Sequence, residues 1–128
     1  VGIHTNKNLN LLFSGVIVII AGFVYGGHPS YLMPLILDFQ VETLELKNML
    51  RAIMGIYVGI GIFWLMGAYN AKLWYAATVC IVLFMGGISF GRIISTLFDG
   101  VSSQFTLALI LELLFFFWGL YNLRRNWN

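Results

Sequence analysis

Four apolar runs dominate the chain, at 9–25, 49–68, 73–98 and 105–121. Each is continuous and shows no two-residue alternation, so the pattern predicts helices and not strands. At about 1.5 Å per residue each is long enough to cross a hydrocarbon core roughly 30 Å thick, with tilt for the longer ones. The first run is longer than a signal-peptide apolar segment and is followed by YGGHP, not by a small-residue cleavage site, so it reads as a true span. The polar breaks are unequal. Tyr69-Asn-Ala-Lys72 and Asp99-Gly-Val-Ser-Ser103 are tight connections, whereas 26–47 is long. The long one opens on Gly-Gly-His-Pro, with Pro29 suited to the first position of a helix. The apolar YLMPLIL that follows is too short to span, and predicts a short helix lying in the interface or capping the bundle. Thr43 has the chemistry of an N-cap for the second long helix. The expected architecture is all-α: a single domain over 1–128, built as a four-helix integral-membrane bundle with a short helix between helices one and two.

Composition agrees with this reading. Of 128 residues, 60% are hydrophobic and 9% charged, too few charges to cover the surface of a soluble globule. The net charge of +2 gives no reason to expect nucleic acid as a partner; the expected partners are membrane lipids, and either a membrane protein or further copies of the chain. Cys80 is the single cysteine, lies in an apolar run and reads as a small core residue. No metal-ligand spacing, nucleotide-binding glycine motif or nucleophile set is present, so neither metal nor cofactor is expected and no residue reads as catalytic. His4 and His28 fall at opposite ends of the expected bundle. The polar ends also differ in sign. Lys7, Lys72, Arg124 and Arg125 gather at one end, with Trp74, Trp118, Tyr121 and Trp127 as an aromatic belt; Asp38, Glu42, Glu45 and Asp99 gather at the other, with Lys47. The positive-inside rule then predicts a cytoplasmic location for both termini.

Three charges interrupt the apolar runs: Arg51, Arg92 and Glu112. Each costs roughly 2.5–3.5 kcal/mol near a helix centre, so the three are expected to face one another, water or a ligand. By helical rise Arg51 lies about one turn deep, Arg92 roughly 10 Å and Glu112 about 13 Å, all from the end that carries Asp99. One polar cluster is therefore expected there, with Asp99 and Asn48 at its mouth. Gly22-x-x-x-Gly26, Gly55-x-x-x-Gly59 and Gly87-x-x-x-Gly91 are spaced for close helix approach. Two readings of the cluster stand. It is a structural lock between helices, with Arg51 or Arg92 paired to Glu112; or it is a pocket in which guanidinium groups take a lipid head, a quinone head or a small acid.

The stretch Asn48-Met-Leu-Arg51-Ala-Ile-Met-Gly55-Ile-Tyr57-Val-Gly59, with Gly91-Arg92, Asp99-Gly100 and Leu111-Glu112-Leu113, resembles the domain of unknown function 4345 family. The likeness runs from about Leu9 to Arg125; Asn48 and Met54 depart from the family pattern, where an acid and an aromatic are usual. The resemblance implies a small four-helix protein of the bacterial inner membrane and implies no activity. The function expected first is therefore that of an accessory or scaffold subunit without catalysis of its own, packing on a larger membrane complex or self-associating. The alternative is a binding or transport protein using the Arg/Arg/Glu cluster.

Overall fold

The computed structural model describes residues 6–126. His4 and Trp127 lie outside them. The described chain folds into α1 (Asn6–Gly26), a short α2 (Pro29–Leu32) continued by one π-helical turn over Met33–Leu37, and three further long helices, α3 (Leu44–Tyr69), α4 (Ala71–Asp99) and α5 (Ser103–Arg125). The long four are between about 32 and 44 Å in length, and all are long and apolar enough to cross a membrane. They extend beyond the apolar runs because polar residues such as Asn8, Lys47 and Asn48 continue the helical backbone.

The helix ends are set by local side chains. Thr43 Oγ1 accepts the Leu46 N–H at 3.1 Å and starts α3. Asn70 serves two helices: its own N–H closes α3 on the Met66 carbonyl at 2.8 Å, and its side-chain Oδ1 accepts the Lys72 N–H at 3.0 Å and opens α4. Ser102 Oγ accepts the Phe105 N–H at 3.3 Å and opens α5. Pro29 occupies the first turn of α2, and the π-turn stops at Asp38, which takes a left-handed conformation at φ 59°. This piece caps the bundle end. Met33 is fully buried and packs with Val41 and Leu50 beneath the loop.

The bundle pairs unevenly. α1 and α3 are zipped together through glycines. A methyl group added at Gly26 would collide with Met54 Cβ and stand 2.6 Å from the Leu50 carbonyl, and one at Gly61 would stand 2.8 Å from the Gly15 carbonyl. Gly22 meets Tyr57 Cβ at 2.9 Å in the same sense. α4 and α5 form the second pair, where Gly86 faces the Phe116 ring and Gly119 faces Val82. The core between the pairs holds Leu11, Val18, Trp64, Ala77, Ile81 and Met85, with an aromatic ladder Tyr25–Tyr57–Phe84–Trp64 at centroid spacings of 5.7, 5.4 and 5.3 Å.

The expectation of close approach at Gly55, Gly59, Gly87 and Gly91 does not hold. Nothing lies within 4 Å of an added Cβ at any of them. Gly55 and Gly59 share the back of α3 with Asn48, Ile62 and Met66, opposite the face that meets α1 and α4. Spacing of four puts two glycines on one face but does not say which face.

Candidate functional site

At the α2 end, α4 and α5 bring Arg92 and Glu112 together. Arg92 Nε donates to Glu112 Oε1 at 2.8 Å and Nη2 donates to Oε2 at 3.2 Å. This is the bidentate fork that suits a guanidinium to a carboxylate. The side chains are 21% and 14% exposed, respectively, and the Phe105 ring covers the guanidinium at 5.0 Å. The two residues meet because the α4–α5 connection is short: Arg92 is seven residues before the end of α4 and Glu112 nine after the start of α5, so their depths nearly match. Tyr25 of α1 lines the same cavity as Glu112, and Tyr57 stands edge-on to Tyr25. Neither tyrosine carries a sequence signal beyond being a polar-tipped aromatic near a buried charge.

Arg51 does not join this pair. Its Nη1 donates to the Gly26 carbonyl at 2.7 Å and to the Gly27 carbonyl at 2.8 Å. The reason is a nearer partner. A helix ends with unsatisfied carbonyls and a partial negative charge, and α1 ends against the flank of α3 where Arg51 projects. The one-cluster expectation is corrected accordingly: one arginine serves Glu112, the other caps α1. Asn48 is exposed and borders a shallow groove with Leu44, Glu45 and Met49, away from Arg92. Asp99 is exposed and accepts the Ser95 hydroxyl at 3.0 Å.

Two cavities flank the ion pair. The first is a crevice of about 350 Å³ between the ends of α4 and α5, with Arg92, Ser95, Thr96, Ser102 and Thr106 in its wall. The second is a chamber of about 150 Å³, nearer the middle of the bundle, walled by Val18, Ala21, Tyr25, Tyr57, Phe84, Ala108, Glu112 and Phe115. Ile88 lines both. The chamber lies where α1 and α5 part from each other. Its wall is apolar except for Glu112 and the two phenols.

A second polar group, missed in the sequence, sits toward the other end. Asn8, Asn10, Ser14, Thr78 and Asn122 are all buried. Ser14 donates to Asn10 Oδ1 at 3.0 Å, and Asn10 Nδ2 approaches Gly119 of α5. The signal was the i, i+4 spacing of Asn10 and Ser14 in an otherwise apolar run. Trp74 Nε1 donates to the Lys7 carbonyl at 3.1 Å at this same end. Among the described residues, no three His, Cys, Asp or Glu side chains are grouped to hold a metal ion.

A known family model matches the chain over residues 7–123. The chain belongs to the family described as domain of unknown function (DUF4345). Membership in DUF4345 assigns no activity. Among curated proteins and solved structures, none matches the chain.

Proposed function

We propose that this DUF4345 protein is a membrane-embedded binding protein for an amphiphile. The supporting observation is the vertical order of the two adjoining cavities: a polar crevice at the end of the bundle, an apolar chamber beneath it, and Ile88 between them. A lipid in the leaflet at the α2 end has the same order, head outward and chain toward the midplane. The parting of α1 from α5 gives the chain a lateral way in. A chamber near 150 Å³ matches the engineered apolar cavity that takes up a benzene ring, so it holds one ring or a short length of chain and not a whole lipid. In this reading the basic end, with Lys7, Lys72, Arg124 and Arg125, faces the cytoplasm, and the crevice opens on the opposite side.

The test is native mass spectrometry of the protein purified in a mild detergent. The wild-type chain retains a bound amphiphile. Ala108→Phe, which fills the chamber from α5, lowers its occupancy at least tenfold and leaves helix content unchanged. A wild-type chain without any adduct, or an Ala108→Phe chain that retains it in full, rejects the reading.

The accessory reading is favoured by a different observation, the open glycines on the back of α3. Small residues let helices approach closely in lipid. If that face holds another membrane protein, Gly59→Leu removes a copurifying partner and does not alter the stability of the isolated chain. Unchanged copurification counts against it.

A further inference from the structure

We infer that the head taken up in the crevice is uncharged and hydroxyl-bearing, of the glycerol or sugar type, and is not an acid. The inference rests on the binding reading above and narrows its ligand. Charge comes first. The sequence suggests two arginines against one carboxylate, an excess of +1 that would favour an anion. The structure removes that excess. Arg92 is matched by Glu112 through both oxygens, and Arg51 is engaged by the Gly26 and Gly27 carbonyls and does not line the crevice. A further carboxylate, Asp99, accepts from the crevice residue Ser95. An incoming carboxylate or phosphate thus meets a neutral pair and a second carboxylate.

Hydrogen-bonding capacity points the same way. A hydroxyl has one proton to give and two lone pairs. In the crevice wall those protons are already directed at neighbouring groups of the same chain. Ser95 donates to Asp99 at 3.0 Å, Thr96 to the Arg92 carbonyl at 2.9 Å and Thr106 to the Ser102 carbonyl at 2.6 Å. Ser102 donates to Gln104 at 3.4 Å. What these side chains present to the crevice is lone pairs. The guanidinium supplies the opposite: of its five N–H donors, two are directed at Glu112. The wall therefore offers a row of acceptors beside one remaining donor edge. A hydroxyl group, which both donates and accepts, satisfies both. A carboxylate or phosphate dianion brings only acceptors and sets them against the lone pairs of the serine and threonine oxygens. The apolar chamber past Ile88 then takes the start of a single chain.

The experiment compares heads on one chain length. The full chain, reconstituted in phosphatidylcholine nanodiscs, is titrated with monooleoylglycerol, an oleyl glucoside, oleic acid and oleyl phosphate, and binding is read by native mass spectrometry. At least one of the two neutral probes binds ten times or more tightly than both acids, and which one it is separates a glycerol from a sugar head. The double variant Ser95→Ala/Thr96→Val, which removes acceptors from an exposed or half-exposed helix face and leaves Arg92 and Glu112 in place, loses at least fivefold for that neutral probe and nothing for the acids. Tighter binding of either acid, or equal binding of all four, overturns the inference and leaves an amphiphile site standing. Failure of all four probes, in a protein that also carries no native adduct, overturns the binding reading with it.

Discussion

Glu112→Ala lowers the unfolding free energy of the purified protein by about 3 kcal/mol, and adding Arg92→Met to the same chain restores most of the loss, following the asymmetry between breaking and replacing a buried ion pair. The pair is bidentate and mostly buried, so removing the carboxylate leaves a guanidinium with neither a counter-charge nor free access to water. Hydrocarbon raises the cost of that orphan. Removing both groups leaves two apolar side chains in an apolar setting, where little is lost. Denaturant titration in micelles measures all three variants. A double variant as unstable as Glu112→Ala would mean that the pair contributes through geometry that methionine cannot replace, and would reject the orphan-charge account.

Gly26→Leu has a larger effect on assembly, because the obstacle is main chain. An added Cβ alone meets the Leu50 carbonyl at 2.6 Å and the Arg51 Cα at 3.2 Å. Backbone of α3 cannot rotate away as a side chain can, so α1 must shift outward along its last turn. That shift also separates the Gly26 and Gly27 carbonyls from Arg51 and reaches Gly22, one turn below. Overpacking of this kind costs about 1–3 kcal/mol or more, and the loss of charged hydrogen bonds adds about 1.5–3 kcal/mol for each one broken. Hydrogen exchange should show faster exchange over the second half of α1 and the first half of α3, with α4 and α5 less affected. Equal acceleration across all four helices would show that the seam does not act as a separate unit.

What the sequence made legible was whatever is fixed by hydropathy and by neighbours in the chain. Four spans, the Thr43 cap and the short piece starting at Pro29 are of that kind. So is the meeting of Arg92 with Glu112, because a short connection ties their depths together. Arg51 was misplaced for a physical reason. Its partners are backbone carbonyls at the end of α1, and a carbonyl leaves no residue-type signature. The glycines show the same limit. Gly55 and Gly59 carry the recognisable spacing and face outward, whereas Gly15 and Gly61 form no such motif and bring α1 and α3 close. The two phenols near the ion pair and the buried asparagines depend on which helices are neighbours, and hydropathy is silent on that.

The glycine seam between α1 and α3 has a bearing on how the protein is made. Every group that forms it, from Gly15 to Gly61, precedes α4 in the chain. During synthesis from the N-terminus the two helices can dock, and Arg51 can close over the end of α1, while the remaining segments are still inside the ribosome. The later hairpin carries its own charge compensation, Arg92 with Glu112, and so draws on no charged group of the first two helices. Assembly can then proceed as two prefabricated halves, with the space left between them becoming the compartment that a guest molecule could occupy.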